Sequence, residues 1–240
     1  MGRRERHLKE IVSTKYTIIE PSEKPGQMLL DALKQSFVNN EIIEMYKNEC
    51  TNQTADKGLG GILIDYPRNP GKWDISVQEG FRIEVDEEQH FNRYRAITLN
   101  SHVYEREKIF SPEQVDLYKE FCNTDMYEQS CRCDGKFWSS ASANNQFGMA
   151  SLPRVFDGNG SSRWKQRAFY DFLKDVASLV EGKPLIRISV YDTVCVNGEW
   201  KSIGKLLELD RYMDYAQGIL DLVEKRLEWW KGRENEGKNI

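Results

Sequence analysis

Trp73-Asp74-Ile75-Ser76-Val77-Gln78-Glu79-Gly80-Phe81-Arg82-Ile83-Glu84-Val85-Asp86, continuing into Glu87-Glu88-Gln89-His90, is the stretch whose reading decides the fold. Two short runs with strand character flank Gln78-Glu79-Gly80, and Gly80 supplies the left-handed backbone angle that a tight turn favours. Along the second run the side chains alternate, so Ile83 and Val85 share one face while Arg82, Glu84 and Asp86 share the other. The first face can sit on a core. The second gathers two carboxylates, with Asp74 on the neighbouring strand and Gln89 and His90 just beyond the strand end. Carboxylates brought together repel unless a proton or cation lies between them, and hard oxygen donors suit Mg²⁺ or Mn²⁺ better than zinc. The same alternation also describes a half-exposed strand whose charges are simply solvated.

Outward from this hairpin, the upstream pattern Leu29, Leu30, Leu33, Phe37, Ile42, Ile43, Tyr46 predicts helix from Gln27 to about Glu49, broken near Asn39-Asn40. Residues 1–20 read as polar and charged, ending in Ile18-Ile19. Thr51–Gly61 reads as a loop and Ile62–Ile64 as a short strand. Downstream, Tyr94–Tyr104 reads as strand or irregular chain. Ser111-Pro112 opens a helix running to about Cys122, with Ser as cap and Pro at the first helical position. Asp134–Ser162 is rich in Gly, Ser and Asn and reads as a long loop.

Ser162 is expected to cap a helix from Arg163 to about Val180, closed by Gly182, with Arg167, Asp171 and Lys174 on its polar face. Leu185–Val190 is a predicted strand. Asn197-Gly198 marks a second hairpin between Val194–Val196 and Trp200. A last helix is expected from a cap at Asp210 to about Trp230, ended by Gly232. Its Trp229-Trp230 pair suits a core or a dimer face.

With 240 residues, 30% charged and 39% hydrophobic, the chain fits one domain over 1–240, with an insertion at 92–162 and a helical extension at 205–240. No apolar run is long enough to span a bilayer. Met1-Gly2-Arg3-Arg4 has no apolar segment behind it, and Arg6 breaks the myristoylation pattern, so a cytoplasmic protein is expected. Five cysteines, an odd number, argue against a disulfide framework. Cys122, Cys131 and Cys133, with Cys50 or His102, form an alternative zinc set, although their spacing is not a standard knuckle. A net charge of −4 does not point to nucleic acid, but a local basic patch is enough for binding it.

The predicted order helix, strand, strand, strand, helix, strand is that of the PD-(D/E)XK nuclease core, and two strings sharpen the likeness. Ile83-Glu84-Val85-Asp86-Glu87-Glu88-Gln89-His90-Phe91 resembles the Ile-Glu-x-Asp-Gly-x-Gln-His string of the very-short-patch-repair-like endonucleases. Asp171-x-x-Lys174 followed by Leu185-Ile186-Arg187-Ile188 resembles that group's later helix and strand. Glu87 departs from the usual Gly, and Asp86 stands where related nucleases often carry Lys. The resemblance covers about Gln27–His90 and Arg163–Val190. It implies an α/β fold, a small mixed sheet flanked by helices in an αβββαβ core, with a long insertion and a C-terminal helix.

The resemblance further implies a metal-dependent DNA endonuclease of restriction or repair type. Asp74, Glu84, the Val85 carbonyl and Asp86 would hold Mg²⁺ or Mn²⁺. His90 would act as general base or acid, and Lys174 would take the lysine role. Arg163, Lys165, Arg167 and Arg187 would meet the phosphate backbone. A restriction enzyme would be expected as a homodimer on a palindromic site, and a nicking enzyme as a monomer. The competing readings are a non-catalytic nucleic-acid-binding or regulatory module on the same fold, and an unrelated α/β interaction protein built around its last helix.

Overall fold

The computed structural model describes residues 2–49, 66–67 and 69–236. Its helices are α1 (Arg3–Ser13), α2 (Gln27–Gln35), α3 (Asn39–Glu49), α4 (Arg93–Leu99), α5 (Val103–Arg106), α6 (Pro112–Asn123), α7 (Asp125–Gln129), α8 (Ala141–Phe147), α9 (Ser162–Glu181), α10 (Ile203–Leu206) and α11 (Ala216–Glu236). Its strands are β1 (Ile18–Ile19), β2 (Ile75–Val77), β3 (Arg82–Asp86), β4 (Leu185–Ser189), β5 (Thr193–Val196) and β6 (Glu199–Ser202). The fold is mixed α/β. The chain divides into two units, one drawn from Met1–Pro25, Gly71–Glu87 and Glu181–Ile240, the other from Gly26–Pro70 and Glu88–Val180.

The first unit is built on a four-stranded sheet in the order β1-β2-β3-β4. Its first three strands run antiparallel and β4 lies parallel to β3, with Glu84 opposite Arg187 and Asp86 opposite Ser189. Gly80, at φ 92°, closes the β2–β3 turn, and its N–H donates to the Val77 carbonyl. Ile75, Val77, Ile83, Val85, Ile186 and Ile188 form one buried face. Leu8, Ile11 and Val12 of α1 and Ile219, Val223 and Leu227 of α11 join the same core. Each such fully buried side chain contributes about 1.5–3 kcal/mol relative to exposure. A two-stranded ribbon, β5–β6, turns at Asn197-Gly198 with both residues at positive φ (52° and 82°), as the Asn-Gly pair predicts.

Several expectations are corrected here. The polar face of β3 is not wet: Arg82, Glu84 and Asp86 are all buried. Arg82 reaches between Glu23 and Glu181, with its guanidinium 4.6 Å from the Trp73 ring centroid, so its charge is answered within the unit. Asp210 caps no helix. Its carboxylate pairs with Arg3 at 2.7 Å, a 3-10 turn covers Tyr212–Tyr215, and α11 then runs through Gly232. Neither α1 nor β1 was expected. The strand expected at Ile62–Ile64 and the loop at Thr51–Gly61 lie outside the described residues.

The second unit is helical. Tyr94–Tyr104 is not strand: the Asn92 side chain accepts from the N–H groups of Tyr94 and Arg95, starting α4, and α5 follows. Ser111 caps α6 as expected, accepting from Gln114 N–H. The Asp134–Ser162 stretch is more ordered than a loop, because Ser140 caps α8 through Ala143 N–H. The cap of α9 is Ser161, which accepts from Trp164 N–H, while the Ser162 hydroxyl donates to Asn144. Between α8 and α9, Asn159 donates to the carbonyls of Phe147 and Met149, both at 2.9 Å, and so closes the neck of the segment. Deep inside this unit Asp175 takes Arg95 at 2.7 Å and the Tyr104 hydroxyl at 2.5 Å. A buried carboxylate with two such donors is compensated where it sits.

Candidate functional site

In the first unit, the register that sets Ile75 opposite Ile83 carries on to set Asp74 opposite Glu84 at the open end of the hairpin. The two residues interlock. Asp74 N–H donates to Glu84 Oε1 at 3.2 Å, and Asp74 Oδ2 accepts from Val85 N–H at 2.8 Å. Strand alternation puts Asp86 on the same face of β3 as Glu84. On β4, Arg187 sits opposite Glu84 and its Nη1 lies 2.5 Å from Asp86 Oδ1. Glu84, Asp86 and Arg187 are 2%, 1% and 0% exposed. At such depth a charge without a partner is costly, so the Arg187–Asp86 pairing holds both groups in place. The expected role of Arg187 on a phosphate backbone is therefore corrected: its guanidinium is committed to Asp86.

The parallel pairing also explains how the strand face is fixed. Val190 N–H donates to the Asp86 carbonyl, so the main chain of β4 follows β3 to its last residue. Beyond β4, Asp192 Oδ2 accepts from Ser189 N–H at 2.7 Å, and Arg226 of α11 grips both Asp192 oxygens at 2.6 and 2.7 Å. Neither Asp192 nor Arg226 was singled out from sequence. Nothing in the sequence marks them, since an arginine on the polar side of an amphipathic helix reads as solvated.

In the second unit, His90 Nδ1 lies 2.7 Å from Asp171 Oδ2, with Asp171 buried and His90 partly open. A carboxylate only accepts, so the ring proton belongs on Nδ1 and the lone pair of the neutral ring on Nε2. Such a pair orients an imidazole to take a proton. Asp171 is thus no ordinary helix-surface residue, and Lys174, expected on the same polar face, is buried as well. Lys165 is also buried, its ammonium bonded to the Asn159 side chain and 5.4 Å from the Tyr94 ring centroid, so it braces the loop neck instead of meeting an external phosphate. Arg163 pairs with Gln166 and remains half-buried, as does Arg167.

Among the described residues the alternative zinc set does not assemble, and Cys50 lies outside them. Cys131 and Cys133 lie in an apolar cluster with Trp138 and Trp164. The Cys131 thiol donates to the Glu88 carbonyl and the Cys133 thiol to the Cys131 carbonyl. Burial pushes the Cys131 thiol up to about 12 and raises Cys133 as well, which disfavours the thiolate that zinc needs. Among the described residues no cluster of cysteines has metal-ligand spacing.

A model described as a family of unknown function (DUF7255) matches residues 54–209, well over half of the chain. The chain belongs to this family. The DUF7255 match takes in every candidate residue from Asp74 to Arg187 and stops short of Arg226; α1, β1 and α11 lie outside it. No curated protein and no solved structure matches the chain. Among the described residues, no helix is long and apolar enough to cross a membrane.

Proposed function

We propose that this chain is a metal-dependent endonuclease that hydrolyses phosphodiester bonds in DNA, in a restriction or repair role. The observation that carries the reading is the interlocked pair Asp74 and Glu84, whose carboxylates each accept a backbone N–H across the open end of one hairpin. A small mixed sheet, with three antiparallel strands and a fourth parallel to the third, supports it as well. The PD-(D/E)XK resemblance implies a small mixed sheet flanked by helices.

The donor set fits the ion. Asp74, Glu84 and the Val85 carbonyl offer only oxygen, from two strands locked in register, which suits Mg²⁺ or Mn²⁺. A bound divalent ion would polarise a phosphate and lower the pKa of a water. The chain's own part is positional: Val85 N–H holds the Asp74 carboxylate against β3, Asp74 N–H holds the Glu84 carboxylate beside the start of β2, and Arg187 pairs with Asp86.

A second reading, a non-catalytic nucleic-acid-binding or regulatory module on the same fold, is favoured by the pairing of Asp86 with Arg187, which ties one of the expected metal carboxylates to an internal cation. Incubation of supercoiled plasmid with wild type and Glu84→Ala in Mg²⁺ or Mn²⁺ separates the two. Cleavage by wild type alone supports the enzyme. Binding to DNA with no cleavage in either ion supports the module.

A further inference from the structure

We propose that Arg226, on the C-terminal helix α11, is a positioning residue for the carboxylate site, acting through Arg187 on Asp86. The inference rests on the metal reading above and adds to it a residue that lies outside the family match. β4 is the last strand of the sheet, so among the described residues one side of its main chain has no strand beside it. Arg226 occupies that side. Its Nη1 donates to the Arg187 carbonyl and to Asp192 Oδ2, and its Nη2 donates to Asp192 Oδ1. Asp192 in turn holds the N–H of Ser189, so one guanidinium clamps the strand at residue 187 and the turn that follows it.

The clamp reaches Asp86 through two hydrogen bonds. The Arg187 main chain that Arg226 holds carries the side chain whose Nη1 rests on Asp86. Asp86 shares its strand face with Glu84, so a shift of the 187 backbone moves a positive charge and a carboxylate together beside the proposed metal ligands. Arg226 is 11% exposed and the Asp192 side chain 3% exposed, which makes this a desolvated, directional pair with little freedom to relax. Outer partners that orient metal ligands commonly tune metal affinity by about 10–100-fold.

Mn²⁺ titration followed by electron paramagnetic resonance, together with thermal melts, tests the assignment. Arg226→Met alone strands a buried Asp192 charge, so the informative variant is Arg226→Met with Asp192→Asn, which removes both charges. Ile219→Val, in the same core, serves as a control for lost stability. The double variant is expected to melt cooperatively and to bind Mn²⁺ about tenfold more weakly, with Ile219→Val binding like wild type. An Mn²⁺ affinity in the double variant within twofold of wild type overturns the inference and leaves the metal reading standing. Equal weakening in Ile219→Val overturns it too, as a general stability effect. Wild type that takes up no Mn²⁺ overturns the metal reading and the inference with it.

Discussion

Arg187 and Asp86 meet side chain to side chain across two parallel strands, at 2.5 Å and with almost no exposure to solvent. Removing one partner leaves the other charged and buried. Arg187→Met is expected to lower stability by about 3–5 kcal/mol. Adding Asp86→Asn should return much of that loss, because an apolar or neutral pair needs no counter-charge. Urea denaturation of the two single variants and the double variant measures the coupling.

Gly160 stands at φ 65°, and a Cβ there would lie 2.0 Å from the Tyr94 hydroxyl. Gly160→Ala is expected to cost roughly 1–3 kcal/mol, from a strained backbone and a displaced ring. Tyr94→Phe in the same chain should relieve part of the clash and leave the backbone share. Melting temperatures of the three variants check this.

Cys131, raised to about 12 by burial, ties stability to alkaline pH. The folded state keeps a proton that the unfolded thiol gives up near its ordinary value. The contribution is complete below about pH 9 and is lost as pH climbs from there towards 12, by about 1.4 kcal/mol per pH unit. Cys131→Ser should flatten that part of the stability–pH curve. In thiol labelling of the native protein, the exposed Cys195 should react well before Cys131 and Cys133.

The nuclease reading assigns His90 the handling of a proton, and Asp171 holds its ring. His90→Ala is expected to slow single-turnover cleavage by about 10²–10⁴-fold with little change in melting temperature. Asp171→Asn should have a smaller effect, since an amide can offer N–H as well as oxygen and no longer fixes the tautomer. Equal cleavage by wild type and His90→Ala would remove His90 from the chemistry.

Local pattern was legible where one period dominated. The β2–β3 hairpin, β4, the Asn197-Gly198 turn and α9 sit within a residue or two of where alternation, turn chemistry and helical spacing put them. The first helix escaped notice because Leu8, Ile11 and Val12, its buried stripe, are set among eleven residues that are mostly charged or polar. Tyr94–Tyr104 misled because aromatic and β-branched residues favour strands, whereas the Asn92 side chain commits the backbone to a helix. Alternation told which side chains share a face of β3 but not whether that face is wet. Burial of Glu84, Asp86 and Arg187 depends on chain far away in sequence. The Asp192–Arg226 clamp was invisible for the same reason.

Anomalous diffraction from a crystal soaked in manganese tests the central claim most directly. The account predicts one strong peak in contact with oxygens of both Asp74 and Glu84 and with the Val85 carbonyl. A crystal that shows those two carboxylates well ordered, still bonded to the backbone N–H groups of Val85 and Asp74, with no manganese between them, would contradict it.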